Sequence, residues 1–512
     1  MIDWLKKVHL EFSESARDSA ADLDCFHRAL QEAGYDAQLD YAQMLRFYEL
    51  IREADYNLTV TLLRDGKNWR VAAMEAGESA APLYALAVDL GSTTVSMRLL
   101  NVESGAVLAE CTHRNAQREY GDDILSRIFY TTYDPARRKE LQRVTVDTLN
   151  GLIREVCAAA EIAPEQCCAM ALAGNTAMVH FLLGLDTFCL FHTPFLPRIR
   201  RVGWIDCAEL GLCCAGYIYC FPCTANYLGG DIISGVLSTG FTKNDEISLF
   251  VDIGTNGEMV IGNRHFLIGG AGAAGPALEA GISKSGMRAR AGAVDSIRIE
   301  NGELRFTTIG GEKARGICGS GIVDLLAEML LAGWMDGKGY LNEKASGRIR
   351  EFEDGRAIVY ADESESESGE PLYFTEADIR LFTDTKAAAH TMVELLLQAA
   401  GLPVEAVDNI YLAGAFGRHM DLESCITIGI YPDAPRDRFI NVGNSSLQGA
   451  TDLLLGRFTS EEADKVAEEI FYLEFAMEEN FMALMQAACF YPYTDLTQYP
   501  TVAEKLKKLQ TN

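Results

Sequence analysis

Short runs of alternating apolar and polar residues flank two helix-like stretches within residues 1–80. WLKKVHLEF predicts a strand, and NLTVTLLRD followed by NWRVAAMEAG predicts a hairpin around Asp65-Gly66, because every second side chain suits one buried face. Between them, DLDCFHRALQEAG and YAQMLRFYELIREA space their apolar residues as helices do. Residues 1–80 are therefore predicted to form a small α+β module.

A second pattern, three consecutive β-runs followed by helices, occurs twice in the rest of the chain. The first copy begins with LYALAVDLG, TTVSMRLLNV and AVLAECTHR, and the second with ISLFVDIG, GEMVIGN and HFLIGG. Glycine-rich turns join the runs, as expected for strands that turn straight back. The repetition predicts an internal duplication into two α/β lobes, residues 81–245 and 246–458, followed by a helical tail over 459–512.

Composition adds limits to this architecture. A chain of 512 residues exceeds what one hydrophobic core usually supports, and its 48% apolar and 23% charged residues are ordinary for globular proteins. No apolar run reaches the ~18 residues of a membrane span, and the N-terminus carries no signal-peptide pattern, so a cytoplasmic protein is expected. The net charge of -28 argues against nucleic acid or an anionic membrane as partner. The 14 cysteines are then expected to be thiols, since that compartment is reducing.

Each copy of the repeated pattern joins its first two strands through an Asp-x-Gly turn. Such a turn aims several backbone N–H groups at one point, which suits phosphate oxygens, while the aspartate can hold Mg²⁺ directly or through water. A lone copy is more often only a tight hairpin turn, but two copies in matching context favour two phosphate-binding turns, called jaws below, that hold a nucleotide from both sides. The predicted jaws are Asp89, Gly91, Ser92, Thr93 and Thr94, and Asp252, Gly254, Thr255, Asn256 and Gly257.

This duplicated hairpin resembles the actin, sugar-kinase and heat-shock-protein superfamily of ATPases, whose two ribonuclease H-like lobes each begin with one. The resemblance implies an adenosine-binding glycine turn, and IYLAGAFGRH fits it with Gly414, Ala415, Phe416 and Gly417. It also implies interlobe helices, which LAGNTAMVHFLLG at residues 172–184 and NVGNSSLQGATDLL at 441–454 resemble. Plain strand-to-helix turns are the alternative interpretation of both stretches.

Longer phrases are similar to one family within that superfamily, the reductive activators of corrinoid proteins. They are NAQREYGDDILSRI, GPALEAGISKSGMRARAGAVDSI, GICGSGIVDLLAEML, FTEADIRLFTDTKAAAHTMVELLL and LAGAFGRHMDLESCITIGIYPD. The N-terminal module resembles the small domain that precedes the ATPase core in that family. The resemblance implies ATP-dependent return of a cobalt(II) corrinoid protein to cobalt(I), and places Gly319 and Ser320 of GICGSG among the nucleotide-binding residues.

Family members commonly carry an N-terminal iron–sulfur domain with plant-type C-x₄-C-x₂-C spacing. Here the first cysteine, Cys25, stands alone in a predicted helix, so no iron–sulfur cluster is expected and a separate ferredoxin or other low-potential donor would supply the electron. The stretch CAELGLCCAGYIYCFPC includes Cys220-x-x-Cys223, a metal-ligand spacing. Because AGYIYCFPC reads as a strand whose alternate residues face opposite sides, structural thiols are favoured over a metal site.

Two further residues have open roles. Glu258 either positions the attacking water as general base or binds Mg²⁺, or is a carboxylate on a strand face. Lys386 either lies near the adenosine, as helix residues do in the superfamily, or is an exposed helix lysine.

At the level of the whole protein, ATP-dependent corrinoid-protein activation is favoured. A small-molecule kinase and a nonredox, ATP-binding chaperone or sensor of corrinoid proteins remain alternatives. Members of the family are often dimers, so a homodimer is possible.

Overall fold

The computed structural model describes residues 3–12, 21–254, 256–272 and 281–510, without the side chains of Ala415, Phe416, Arg418, Leu509 and Gln510. Its contacts define two compact units, Met1–Ser238 with Ser445–Glu469, and Thr239–Asn444 with Ile470–Asn512. Among the described residues, no helix is both long and apolar enough to cross a membrane.

The N-terminal module is a four-stranded sheet with two helices; its sequence pattern predicts the helices and three of the strands, and the two-residue strand Ala37–Gln38 was not predicted. The sheet order is β1-β3-β4-β2, and Phe26, Phe47, Leu58 and Val60 are among the fully buried residues of its core. Its elements are β1 (Leu5–Glu11), α1 (Asp22–Glu32), β2 (Ala37–Gln38), α2 (Tyr41–Glu53), β3 (Asn57–Asp65) and β4 (Asn68–Ala76).

The first lobe is built on a six-stranded sheet with the order β7-β6-β5-β8-β10-β9. Strands β5, β6 and β7 form an antiparallel meander, while β8 and β10 continue the sheet parallel to β5. The strands are β5 (Tyr84–Leu90), β6 (Thr94–Asn101), β7 (Ala106–Arg114), β8 (Cys167–Gly174), β9 (Trp204–Asp206) and β10 (Tyr217–Cys220). The helices are α3 (Ile124–Thr131), α4 (Pro135–Ala159), α5 (Thr176–Leu182) and α6 (Gly230–Thr239).

The second lobe repeats this arrangement, which confirms the predicted duplication. Its sheet order is β21-β20-β11-β12-β13-β22, with β11, β12 and β13 as the antiparallel meander and β20 parallel to β11. The strands are β11 (Ser248–Ile253), β12 (Gly257–Asn263), β13 (Phe266–Gly272), β20 (Asn409–Ala413), β21 (Phe439–Gly443) and β22 (Ile470–Tyr472).

Among the described residues that precede the C-terminal part of the chain, two three-stranded sheets and four α-helices complete the second lobe. The sheets have the orders β15-β14-β16 and β17-β18-β19. Their strands are β14 (Ala293–Glu300), β15 (Glu303–Thr308), β16 (Gly316–Ile317), β17 (Ile349–Phe352), β18 (Gly355–Ala361) and β19 (Leu372–Thr375). The helices are α7 (Gly319–Leu331), α8 (Glu376–Ala400), α9 (Gly414–His419) and α10 (Leu422–Ile428).

The C-terminal part of the chain is divided between the two units. Helices α11 (Ser445–Leu454) and α12 (Ser460–Glu469) belong to the first unit, where α11 packs on β5 and β8. Strand β22 then pairs with β13 in the second unit, and α13 (Phe481–Ala488) and α14 (Pro500–Gln510) follow it there. The tail is therefore not helical throughout, since it supplies an edge strand that its short apolar run did not reveal.

Candidate functional site

The first Asp-x-Gly turn lies between β5 and β6, with Asp89 next to the end of β5. A Cβ at Gly91 would lie 2.5 Å from the carbonyl oxygen of Thr94, so only glycine fits this turn. Asn115 fastens the same turn: its Nδ2 donates to the Gly91 carbonyl at 2.8 Å, and its backbone N–H donates to the Thr93 carbonyl at 2.9 Å. The predicted residues Gly91, Ser92, Thr93 and Thr94 thus form one tightly held loop.

Other turns gather at this end of the first sheet. Since β5, β8 and β10 are parallel, the segments after them leave from one edge, where α/β proteins commonly bind ligands. After β8, the side chain of Asn175 caps α5 by accepting from the N–H of Ala177 at 3.1 Å. A Cβ at Gly229, just before α6, would lie 2.6 Å from the backbone nitrogen of Thr176 and 2.8 Å from Asp231 Oδ1. Asp231 therefore lies beside the turn that follows β8.

A hydroxyl group from the C-terminal part of the chain donates a hydrogen bond to Asp89, the aspartate of the first Asp-x-Gly turn. Ser446, in the first turn of α11 and 7% exposed, donates from Oγ to Asp89 Oδ1 at 2.9 Å. The bond holds the Asp89 carboxylate in one orientation.

Sequence reasoning missed Asn115, Asp231 and Ser446 as site residues. Asn115 lies in NAQREYGDDILSRI and Ser446 in NVGNSSLQGATDLL, phrases that indicate only a family or superfamily resemblance, and a glycine pair precedes Asp231.

The second Asp-x-Gly turn lies between β11 and β12. Gly254 N–H donates to the Asn256 carbonyl at 2.7 Å, which closes the turn, and Gly257 begins β12; Thr255 lies outside the described residues. Asp252 and Glu258 are direct partners across the antiparallel pair β11–β12. Side chains of such partners share a face and lie close together. Glu258 is 8% exposed, so it is a buried strand carboxylate beside Asp252, and the two together suit a divalent cation.

The predicted adenosine turn adjoins Asp252. Ala413, the last residue of β20, pairs with Asp252, and the next residue, Gly414, has φ +77°. A Cβ at Gly414 would lie 2.7 Å from Asp252 Oδ1, so glycine allows the carboxylate and the turn to approach. Gly417 is packed against Leu412 and accepts a hydrogen bond from the side chain of Asn441. The backbone of Ala415 and Phe416 continues through α9, while their side chains lie outside the described residues.

Gly319 and Ser320 form the first turn of α7. Cys318 precedes them with extended backbone, and its buried thiol lies 3.3 Å from the Ser320 hydroxyl and 3.3 Å from the Val294 carbonyl. This is a close-packed helix entry. A role for Gly319 and Ser320 in nucleotide binding stays a prediction.

The interpretation of Lys386 as an exposed helix lysine is wrong, and its hydrogen bonds do not favour a contact with adenosine. The side chain is 0% exposed, and its Nζ donates to the carbonyls of Ala488 at 2.7 Å and Phe490 at 2.6 Å, and also to that of Pro492. An ammonium has three N–H donors, so none is left for adenosine. Burial lowers the pKa of Lys386 to about 7, while the three carbonyl oxygens favour its charged form. Lys386 is a structural anchor for the segment after α13.

The cysteine-rich stretch lies in the core of the first lobe. Cys207, Cys214 and Cys220 are at most 4% exposed and belong to its main apolar cluster. Burial raises the pKa of Cys220 to about 12 and that of Cys223 to about 11, so these thiols stay protonated. These surroundings are those of structural thiols, the interpretation favoured by the strand pattern.

Two lobes with matching sheets, each opening on an Asp-x-Gly hairpin, define the ASKHA class of ATPase domains, whose fold implies nucleotide binding. A family model described as the C-terminal domain of RACo, the ASKHA domain, matches residues 246–503, and a model of the RACo middle region matches residues 84–244. The chain belongs to the RACo family.

Individual relatives agree with this assignment. The chain is similar to the corrinoid activation enzyme RamQ of Eubacterium limosum, at 27% identity over 86% of this chain and 76% of the relative. It is also similar to the [Co(II) methylated amine-specific corrinoid protein] reductase of Methanosarcina barkeri, at 26% identity over 51% of this chain and 49% of the relative. Among solved structures, a reductive activator for a corrinoid, iron–sulfur protein superposes with a TM-score of 0.83 and 35% identity, over 97% of this chain and 80% of that one.

Proposed function

We propose that this protein uses ATP to activate a corrinoid protein, returning cobalt(II) to cobalt(I) with one electron from a separate low-potential donor. The observation that carries the proposal is the family match across residues 84–503, joined to a duplicated Asp-x-Gly hairpin in two matching sheets. Relatives named for corrinoid activation and for reduction of a Co(II) corrinoid protein point to the same chemistry. The balance is one electron gained by cobalt, accompanied by hydrolysis of ATP to ADP and phosphate.

The chain's own residues would divide the nucleotide chemistry between them. The backbone N–H groups of the two hairpin turns would bind phosphate oxygens, and Asp89 and Asp252 would hold Mg²⁺, directly or through water. Mg²⁺ would neutralise phosphate charge during hydrolysis. Glu258, buried beside Asp252, would either share the cation or accept the proton of the attacking water.

ATP can assist an uphill electron transfer only through a difference in affinity. Binding shifts the complex of activator and corrinoid protein toward whichever conformation holds ATP more tightly. Hydrolysis then removes that preference and releases the partner.

Substitution of the two aspartates tests the nucleotide assignment. Asp89→Ala and Asp252→Ala should each abolish ATP turnover while the unfolding midpoint stays close to wild type. Asp65→Ala is the matched control, because Asp65 also precedes a glycine in a hairpin but lies in the N-terminal module, where it pairs with Arg70 at 2.9 Å. Wild-type turnover in both test variants would refute the assignment.

An anaerobic visible spectrum tests the redox function separately. A cobalt(II) corrinoid protein is mixed with reduced ferredoxin and this protein, before and after Mg-ATP is added. A cobalt(I) band that requires both Mg-ATP and this protein supports reductive activation. If Mg-ATP shifts the cobalt(II) spectrum but no cobalt(I) band forms, the result favours the chaperone or sensor function over reductive activation. If the spectrum does not change and the protein transfers phosphate from ATP to a small molecule, the result indicates a kinase.

A further inference from the structure

A cysteine, a histidine and a glutamate converge on the edge of the first lobe, outside every turn described above. Their ligand atoms, one each from Cys111, His113 and Glu155, all lie within 4.8 Å of one another. His113 Nε2 and Glu155 Oε2 are 2.7 Å apart. Within the part of the chain that the structure describes, no other group of three such side chains is this close.

The fold fixes this convergence on two elements. Cys111 and His113 are two residues apart on β7, so both side chains point to the same face of the sheet. Strand β7 is the edge of its sheet, held by β6 through register pairs that include Met97 with Cys111 and Val95 with His113. Helix α4 packs against β7 and brings Glu155 to the cluster. The ligands therefore come from a strand and a helix that the lobe already holds in place.

We propose that Cys111, His113 and Glu155 form a binding site for a divalent cation of the zinc class, with water or an external ligand in the fourth position. Thiolate, imidazole and carboxylate are the ligand types that Zn²⁺ takes, at about 2.0–2.3 Å from the metal. A tetrahedral site at those bond lengths separates ligand atoms by roughly 3.3–3.8 Å. The present separations, from 2.7 Å between His113 Nε2 and Glu155 Oε2 to at most 4.8 Å, span that spacing, and the side chains of His113 and Glu155 are 52% and 48% exposed, which leaves them room to move.

The surroundings suit a cation with mixed soft and hard ligands. One thiolate and one carboxylate neutralise a divalent ion, so the occupied site carries no net charge. The neighbouring Glu110 is already paired with Arg98 at 2.7 Å and is not needed as a ligand. Burial and the nearby carboxylates raise the pKa of Cys111 to about 11, so the thiol without metal is not a reactive nucleophile. A bound ion would tie the edge strand to α4, and the exposed side would stay open to solvent.

Titration of the metal-free full chain with ionic Co²⁺, with a reductant that does not bind metal, tests the site. Cobalt bound by a thiolate shows a charge-transfer band and, in tetrahedral geometry, intense visible bands, and Zn²⁺ should displace it. We expect one equivalent bound by wild type, loss of the charge-transfer band in Cys111→Ser, and affinity at least about tenfold weaker in His113→Gln and Glu155→Gln. Cys189→Ser is the matched control, because Cys189 is a partly buried thiol of the same lobe.

The following outcomes of the Co²⁺ titration would contradict the proposed site. A charge-transfer band that persists in Cys111→Ser, or that is lost equally in Cys189→Ser, places the ion elsewhere and overturns the proposal. So does a wild type that binds no Co²⁺ or Zn²⁺. If Cys111→Ser folds poorly, Glu155→Gln decides, since its side chain is half exposed and its change removes one ligand without altering size; unchanged affinity there also overturns the proposal.

Discussion

Replacing Lys386 with methionine should release the segment after α13 from the second lobe. In the folded protein the Lys386 ammonium is the common donor for three backbone carbonyls, those of Ala488, Phe490 and Pro492. Lys386 lies in α8, so one side chain fastens this segment to the longest helix of the lobe. Methionine keeps an unbranched stem of similar length but offers no donor, and the carbonyls are left without that partner.

The change in unfolding free energy is the difference between two effects: three carbonyls lose their hydrogen-bond donor, and a buried charge is removed. An unsatisfied buried polar group costs about 1–3 kcal/mol, so three would cost roughly 3–9 kcal/mol if nothing relaxed. Removing the ammonium returns its own desolvation penalty, several kcal/mol for a buried charge. Water reaching the carbonyls lowers the cost further. We expect a net loss of about 3 kcal/mol of unfolding free energy, at the lower end of the ~3–5 kcal/mol typical when one partner of a buried charged set is removed.

Urea unfolding and hydrogen exchange measure the two parts of this effect. The unfolding midpoint of Lys386→Met should fall, and amides of residues 481–510 should exchange faster than those of the first lobe. Lys139→Met is the control, because Lys139 is exposed on α4, a helix of equal length. Wild-type protection across residues 481–510 in Lys386→Met would show that the ammonium does not hold the segment, and the reasoning would fail.

Three other changes test separate contacts. Asn115→Ala removes the side chain that donates to the first hairpin turn, so it should weaken ATP affinity by about threefold to tenfold in a binding titration at unchanged fold; equal affinity would contradict the positioning role. Glu423, hydrogen-bonded by Arg436, has its pKa lowered to about 2 from 4.5, so the stability it contributes is present above about pH 4.5 and lost as pH falls toward 2. The deficit of Glu423→Gln in urea midpoint should therefore shrink over that range, and a constant deficit would refute the assignment. Gly449→Ala would place a Cβ 2.1 Å from a carbonyl oxygen of α6 and should cost about 1–3 kcal/mol, whereas Gly151→Ala, in open space on α4, should not destabilise the protein.

Most of the fold could be predicted because its signals are local. The alternation of apolar residues and the glycine after each strand-end aspartate are written within short stretches, so both hairpins and the duplication of the lobes were found. The same reasoning placed Asp89 and Asp252 at strand ends, where the structure has them, whereas Gly414 after β20 came from the superfamily resemblance. The match of the two sheets adds what a single hairpin could not show, that both copies sit in equivalent topology.

The site residues that the sequence did not reveal have a different physical origin. Each is defined by a contact with residues that are distant in sequence. The spacing of α8 shows which helix positions are apolar, but not that a segment far along the chain covers Lys386 with three carbonyls. The sequence indicates only that Ser446 lies at the start of a helix. The packing of α11 on β5 brings its hydroxyl to Asp89. Cys111 and His113 look like polar interruptions of an edge strand, and only the crossing of α4 supplies Glu155. Local sequence pattern thus predicts where a turn or a possible ligand residue occurs. The residues that contact it are decided by which helices and strands pack together. The chemistry of a buried or clustered side chain follows from those contacts.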